Sequence, residues 1–232
     1  MAARYRIARL GVYDQRIENL VLGDPRAPDL TARWVELHLG IGSRGPYVTR
    51  VRAGGVRLRG RLADGRVTLG SVDRLLPTPT GAPFTLPDLD VDLSDARMRL
   101  ETGAGTIGLA LDGSGMLADG FHGRLAAASG ALDIAGCQSE RGRASLEIAI
   151  VKRRPKIDGV VQADRVRCGT VFAEAPRAPV KVRLSPQLDR WAGQAALELA
   201  STTAPAGRLE RIRGQVDFAG TAGGTTGRLD LH

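Results

Sequence analysis

The chain has 232 residues, of which 43% are hydrophobic and 4% aromatic, and its 33 Lys and Arg against 25 Asp and Glu give a formal net charge of +8. This hydrophobic content excludes a disordered chain, and the absence of any apolar run of about 18 residues excludes a membrane-spanning helix in the sequence. The basic residues are spread among acidic ones without interleaved aromatics, so we do not predict binding to nucleic acid.

Hydrophobic residues alternate with polar or charged ones along most of the chain, which is the period-two pattern of a half-buried β-strand. The stretches LDVDL at 89–93 and ARMRL at 96–100 show it most clearly, and we treat them as two successive strands. The same pattern predicts strands at these residues, in chain order: Val35, Leu37 and Leu39; Val56 and Leu58; Val67 and Leu69; Ile107, Leu109 and Leu111; Leu132 and Ile134; Leu146, Ile148 and Ile150; Val180, Val182 and Leu184; Val216 and Phe218.

Glycine-containing turns separate the predicted strands. Asp-Gly favours hairpin turns because both residues tolerate a positive φ. Turns are therefore predicted at AGG 53–55, ADG 63–65, DG 112–113, ADG 118–120 and DG 158–159. The tetrapeptide LADG occurs twice, 55 residues apart, and predicts a repeated hairpin.

Helix is predicted to be very scarce. The stretch SVDRLLP at 71–77 favours a single short turn between a capping Ser71 and a terminating Pro77. The stretch SPQLDRW at 185–191 begins as a helix would. However, Trp191 has the same parity as the hydrophobic residues that follow it, which favours a strand. The Pro-rich segment 77–87 is predicted to be a loop that separates two groups of strands.

The sequence contains no strong motif for catalysis, metal binding or cofactor binding. The stretch GAGTIG at 103–108 matches a dinucleotide-binding pattern, but the following LALDG alternates as a strand where that site needs a helix, so we interpret it as a hairpin. The three histidines, His38, His122 and His232, have no metal-ligating partner at a useful spacing. We predict no enzymatic activity, no metal site and no cofactor.

Acidic residues and the two cysteines leave alternatives open. Asp88, Asp90 and Asp92 share one strand face, where they can form a solvated row that pairs with Arg97 and Arg99 on the next strand. The other interpretations, a calcium site or a glycosidase pair, lack the accompanying residues. Cys137 and Cys168 are free thiols in a reducing compartment, or a disulfide closing a loop of about 30 residues in an oxidising one.

The predicted strands each carry an apolar face that requires a partner. A second sheet can cover it, as in a sandwich, or the face can remain open as a trough for an apolar ligand. Leu, Val, Ile and Ala suit both arrangements, so composition does not separate them.

Three stretches resemble one family of Gram-negative envelope proteins. They are IENLVLGDPRAPDLTARWVEL at 17–37, GGVRLRGRLADGRVTLGSVDRLLPTPTGAPFTLPDLDVDLSDARMRLET at 54–102 and GLALDGSGMLADGFHGRLAAASG at 108–130. Together they are similar to the YdbH-like proteins, relatives of AsmA and TamB, over roughly residues 10 to 200.

The resemblance implies an all-β fold: an extended, curved, mostly antiparallel sheet that forms an open, taco-like groove. It implies lipid transport in outer membrane biogenesis, with phospholipid acyl chains crossing the periplasm through that groove. The expected partners are phospholipid acyl chains, the inner and outer membranes, and a periplasmic or outer-membrane protein. The full-length protein is expected to be anchored in the inner membrane. Residues 1–232 are expected to be one continuous segment of it, because the alternation runs to both ends of the sequence.

The groove interpretation assigns a lining to specific residues. An acidic residue in place of Val91 or Leu109 is expected to lower lipid binding without unfolding the protein. The alternative function is a structural β-solenoid or adhesin-like segment of the cell surface with a closed core. The predicted lining consists of Val56, Leu58, Val67, Leu69, Leu89, Val91, Leu93, Met98, Leu100, Ile107, Leu109, Leu111, Leu146, Ile148 and Ile150.

Overall fold

The computed structural model describes residues 2–43, 45–63, 65–75, 84–221 and 223–231. Of these, 77% are in strands and 3% in helix, which confirms the predicted all-β class. A single 3-10 helix covers Gly70–Leu75 in the described residues. The strands are β1 Ala3–Leu10, β2 Asp14–Asp24, β3 Ala27–Gly42, β4 Gly45–Gly54, β5 Arg57–Ala63, β6 Arg66–Thr68, β7 Asp90–Thr102, β8 Gly105–Met116, β9 Phe121–Ser129, β10 Ala131–Ile134, β11 Cys137–Glu140, β12 Arg143–Val151, β13 Arg154–Gln162, β14 Arg165–Cys168, β15 Val171–Glu174, β16 Arg177–Leu184, β17 Arg190–Ala204, β18 Gly207–Thr221 and β19 Gly224–Leu231.

All these strands belong to one large, mostly antiparallel sheet that is not a closed barrel. Strands β1 to β4 form an antiparallel meander, and β7 to β9 form another. The two meanders meet in parallel. Arg50–Gly54 of β4 lie beside Asp90–Ser94 of β7, and Arg57–Leu62 of β5 lie beside Arg97–Thr102 of the same strand.

The stretches LDVDL and ARMRL form one strand and not two. Both lie in β7 except for Leu89, which precedes it, and a register shift between Leu93 and Ala96 separates them. Asp95 has a φ of 51° at this bulge. The extra residue restores the apolar face after the bulge, so Ala96 and Met98 continue the face of Leu93.

From β9 onward most strands are broken into two segments at a common line. The breaks lie at Gly130, at 141–142, at 163–164 and at 175–176. Backbone hydrogen bonds cross them, such as Ser129 N–H to Gly142 O at 2.9 Å and Ala163 N–H to Pro176 O at 3.0 Å. The segments on one side pair as β9, β12, β13, β16 and β17. Those on the other pair as β10, β11, β14, β15 and the end of β17.

The predicted turns are only partly confirmed. The second LADG lies at the hairpin between β8 and β9, and GAGTIG begins at the turn between β7 and β8. The first LADG lies where β5 and β6 pair as a hairpin, but its Asp64 is outside the described residues. The prediction was wrong at Asp112-Gly113 and Asp158-Gly159, which lie inside β8 and β13. A Cβ on Gly159 would lie 2.1 Å from Ser145 O, so this glycine serves a close backbone approach.

The structure also tests the predictions made for the short turn after Ser71, for Trp191 and for the Pro-rich loop. The short turn at 71–75 is part of the 3-10 helix, and Trp191 begins the strand-like parity predicted for β17. Residues 77–83 of the predicted loop lie outside the described residues, while 84–89 have no regular structure. In the described part of the chain, no helix is both long and apolar enough to span a bilayer.

The sheet exposes far more surface than a compact domain. Its accessible area is 15107 Å², whereas a compact monomer of this size exposes about 10,000 Å². Among the described residues no side chain is completely buried, and the most buried hydrophobic ones include Leu22, Ala32, Phe121 and Ile150. The fold is therefore held together mainly by strand pairing and by contacts within the faces of one sheet.

Candidate functional site

The two faces of the sheet differ in chemistry from one end to the other. Along β9 the outward residues His122 and Arg124 are exposed, whereas the alternating Phe121 and Leu125 are buried or half-buried. The same alternation recurs in β5, β12, β16 and β17. We refer to the side that carries Phe121 and Leu125 as the apolar face and to the side that carries Arg124 as the charged face.

A row of directly paired residues crosses the apolar face from β1 to β19 without a polar side chain. Since neighbouring strands lie about 4.8 Å apart, this path is about 60 Å long. Its interior members are buried or half-buried, and the two end members are exposed. The row consists of Ile7, Ile17, Val35, Ala53, Leu93, Gly113, Gly123, Ile148, Ile157, Val182, Gly193, Phe218 and Gly227.

The adjacent row on the charged face is its chemical opposite. Every member is exposed and polar, and charges of both signs are interspersed. The row consists of Asp112, Arg124, Glu147, Asp158, Lys181, Gln194, Asp217 and Arg228. A one-residue slip in pairing would exchange the two rows, so the contrast also fixes the register of the sheet.

The apolar face contains a hollow of about 340 Å³ where the strands are broken. Residues from both sides of the break line it, including Ala127 and Val161 on one side and Leu132 and Val166 on the other. The two sides therefore bend toward each other on this face. Ile107 and Leu197 complete the wall.

A disulfide bond joins the short segments beyond the break. Cys137 in β11 lies directly opposite Cys168 in β14, and the bond spans a sequence separation of 31. It ties two strands that pair over only four residues each.

Arginine-carboxylate pairs line the charged face and lower several carboxyl pKa values. A hydrogen bond from Arg57, at 2.9 Å, is the main cause that holds the pKa of Asp95 below its ordinary value. Hydrogen bonds from Arg6 and then Arg16 lower the pKa of Glu18, and bonds from Ser71 lower that of Asp29. These groups are partly solvated, so each pair contributes little to stability.

The acidic row of the LDVDL stretch pairs with other arginines than we predicted. Arg97 and Arg99 lie on the same strand as Asp90 and Asp92, so they cannot face them across a strand boundary. Asp90 instead bonds Arg50 at 2.6 Å, and Asp92 lies 3.8 Å from Arg52. The prediction of a solvated, paired row was right in kind and wrong in its partners, because the parallel contact between β4 and β7 was not foreseen.

Most of the residues predicted to line a groove lie together on the apolar face. The exceptions lie outside the strands or are exposed: Val56 joins β4 to β5, Leu89 precedes β7, and Val67 is 52% exposed. Leu69 follows β6 and packs near Gly60, beside Met98. The residues that share the face are Leu58, Val91, Leu93, Met98, Leu100, Ile107, Leu109, Leu111, Leu146, Ile148 and Ile150.

Sequence reasoning did not assign several members of this face. Ile17 and Phe121 belong to it, as do Trp191 and Phe218 in the last strands. Parity could have found Trp191 and Phe218, since both lie in stretches predicted as strands. Ile17 was hidden because Asn19, with a φ of 54°, interrupts the alternation of β2.

The comparison with known protein families gives one match. The model described as YdbH-like, intermembrane phospholipid transport protein YdbH, matches residues 1–232, and it is the family that the sequence resembles. Neither the curated proteins nor the solved structures contain a match to the chain.

Proposed function

Because the chain belongs to the YdbH-like family of intermembrane phospholipid transport proteins, we propose that its apolar face holds phospholipid acyl chains during their passage between the two membranes. The observation that carries this proposal is the uninterrupted apolar row from Ile7 to Gly227. A structural sheet needs such continuity only where a second layer covers it. The accessible area of 15107 Å² supports an uncovered face.

The chemistry of the face suits a ligand that must be held and still move. Each methylene buried against it gains about 0.8 kcal/mol, so an acyl chain of ordinary length is retained firmly. Val, Leu, Ile and Ala offer contact without directional bonds, and successive strands repeat the same surface every 4.8 Å or so. An acyl chain can therefore advance by one strand while exchanging one set of contacts for an equivalent one.

The charged face completes the proposal by keeping the sheet hydrated on its other side. Stacking of one sheet on another would take its interspersed charges out of water, and this desolvation cost disfavours stacking. We assign no residue a chemical step, and in this proposal the protein is not an enzyme. A periplasmic location follows from a path between the two membranes, with the anchor of the full-length protein in the inner membrane.

A closed-core structural segment is the competing function. It would require the apolar rows to face a second layer with the density of a protein interior. The half-buried state of Leu109, Leu146 and Val180 weighs against it, as does the absence of completely buried side chains in the described residues.

Adjacent alanines on β17 provide a matched test. Ala195 lies on the apolar face between Val180 and Val216, whereas Ala196 is exposed on the charged face opposite Gln215. We expect Ala195→Glu to reduce photo-crosslinking of a phospholipid that carries a reactive group in its acyl chain. We expect Ala196→Glu, which adds the same charge one residue away, to leave crosslinking unchanged.

Circular dichroism on both variants separates binding from folding. If Ala195→Glu is folded and crosslinks as well as the unmodified chain, the apolar face does not hold acyl chains. If Ala195→Glu unfolds the chain while Ala196→Glu does not, the face is a sealed core, and the competing function as a closed-core structural segment is favoured.

A further inference from the structure

The charged face carries a concentration of arginines that the acyl-chain proposal does not use. In the parallel contact between β5 and β7, Arg57 lies directly beside Arg97, and Arg59 lies directly beside Arg99. Like charges side by side in a sheet repel. Four arginines at the corners of one small rectangle are therefore an arrangement that stability alone does not explain.

The carboxylates nearby compensate only part of this charge. Asp95 forms ion pairs with three arginines: Arg57 at 2.9 Å, Arg97 at 3.2 Å and Arg33 at 3.5 Å. In the described part of the chain, neither Arg59 nor Arg99 has a carboxylate oxygen within 4.0 Å, and Arg59 interacts with the carboxylate of Asp29 only over a longer distance. Further along the strands the pattern ends, because Arg61 has a carboxylate partner in Glu101 at 3.4 Å.

A shallow trough of about 500 Å³ adjoins these arginines. On the charged face its floor consists of small residues: Arg99 is followed across the sheet by Gly108 and Ala128, and Arg97 by Ala110 and Ala126. The intervening residues of the same strands also line the trough, although their side chains belong to the apolar face: Leu58, Met98, Leu109 and Ala127. The small residues place backbone and methyl groups where the neighbouring strands carry long charged side chains. The trough thus has a cationic wall on one side and a flat, uncharged floor.

We propose that this arginine trough, formed by Arg57, Arg59, Arg97 and Arg99 over the floor of small residues, binds the phosphate-bearing headgroup of an anionic phospholipid. Guanidinium groups bind phosphate through paired N–H donors, which fits a diester oxygen pair better than a lysine would. The methyl floor fits the uncharged glycerol part beside that phosphate. An acidic peptide would leave the floor unused, and the absence of aromatics among the residues that line the trough disfavours stacked bases.

This site is separate from the surface that we propose for acyl chains. Arg59 and Arg99 lie on the opposite side of the sheet from Leu58 and Met98, their neighbours in sequence. A lipid bound in the trough therefore does not occupy the apolar face. The site gives the sheet a contact with the phospholipid headgroups of an anionic membrane surface, and this contact does not depend on acyl-chain binding.

The test is flotation of the 232-residue chain with phosphatidylcholine vesicles that do or do not contain phosphatidylglycerol. We expect the unmodified chain to bind only the vesicles with phosphatidylglycerol, and to dissociate as ionic strength rises. Each arginine near an anionic surface contributes about a fivefold gain in partition. The double variant Arg59→Gln/Arg99→Gln should therefore lose roughly 25-fold. It removes no ion pair of 4.0 Å or less among the described residues, and only the longer-range attraction of Arg59 to Asp29 is lost, so we expect its thermal unfolding to stay close to that of the unmodified chain.

The control is Arg183→Gln/Arg213→Gln, which removes the same charge from exposed positions of the same face outside the trough. An equal loss in both double variants would overturn the site, because the attraction would then be non-specific. Competition by glycerol phosphate or polyglutamate at the concentration at which phosphatidylglycerol binds would overturn the lipid assignment. If the double variant is unfolded, the single variant Arg59→Gln applies, and an unchanged partition in it overturns the proposal. Ala195→Glu should bind these vesicles normally, which separates this test from that of the apolar face.

Discussion

Replacing Val91 by aspartate should unfold the protein, although the sequence pattern assigned Val91 and Leu109 the same role in the lining of a groove. The structure separates them. Val91 is 8% exposed and lies between Val51 of β4 and Gly115 of β8, at the parallel junction of the two meanders. Leu109 is half-buried between Met98 and Ala127, with part of its side chain in solvent.

The expected loss of folding stability in Val91→Asp follows from the burial of Val91. Removing a buried valine side chain costs about 1.5–3 kcal/mol in lost apolar burial. Leaving a carboxylate in its place without a partner costs several kcal/mol more. The nearest cations along the junction, Arg50 and Arg52, point to the charged face, where they already contact Asp90 and Asp92. The sum approaches the total stability of about 5–15 kcal/mol that a domain possesses.

Urea unfolding followed by circular dichroism measures this difference. We expect Val91→Asp to be largely unfolded without denaturant. We expect Leu109→Glu to remain folded with a reduced midpoint, because its carboxylate can reach water at the surface of the apolar face. A conservative control, Val91→Ala, removes the contact without adding a charge and should lower the midpoint only moderately.

One result would refute this reasoning. If Val91→Asp unfolds at the same urea concentration as the unmodified chain, with an unchanged slope, then water reaches Val91 and the junction is not packed. Loss of folding in Leu109→Glu as well would show that the whole apolar face is sealed.

Two further predictions concern the disulfide and the acid limit of stability. Replacing both Cys137 and Cys168 by serine should lower the free energy of unfolding by roughly 3–4 kcal/mol in the chain-entropy model, since the bond closes a loop with a sequence separation of 31; equal urea midpoints for this variant and the oxidised chain would contradict it. The pKa of Asp95 lies below its ordinary value of 3.8 in the folded state, mainly because Arg57 donates to it. Its contribution to stability is therefore present above pH 3.8 and is lost as the pH falls through the lowered pKa. Asp95→Asn should flatten the fall in stability with acid in this range, and an unchanged pH profile would show that the pair adds nothing.

The pattern of the sequence predicted the class of fold because a strand records its two faces locally. In β7, the alternation of Val91 and Leu93 with Asp90 and Asp92 needs no knowledge of the partner strand. The same holds for β12 and its residues Leu146, Ile148 and Ile150. This is why most of the apolar face was found in advance.

Bulges limited the prediction of strands and faces from alternation. A residue such as Asn19 or Asp95, each with a positive φ, shifts the parity of everything after it. The stretch ARMRL was consequently predicted as a new strand, although it continues the strand of LDVDL. Similarly, Asp112-Gly113 resembles a hairpin turn, but a Cβ on Gly113 would lie 2.8 Å from Gly123 Cα, so the glycine permits close strands and not a turn.

The alternation along each strand is enough to predict a sheet with one apolar and one charged side, because alternation is a property of each strand alone. The pairing of the strands, in contrast, became known from the fold. The fold placed β4 and β5 in parallel beside β7, aligned the breaks between β9 and β16 into one bend, and set Cys137 opposite Cys168. These features depend on contacts between residues far apart in the chain. Local sequence patterns do not determine the free energy of such pairing. The arginine trough belongs to this second group, since Arg59 and Arg99 are 40 residues apart and meet only through the parallel register.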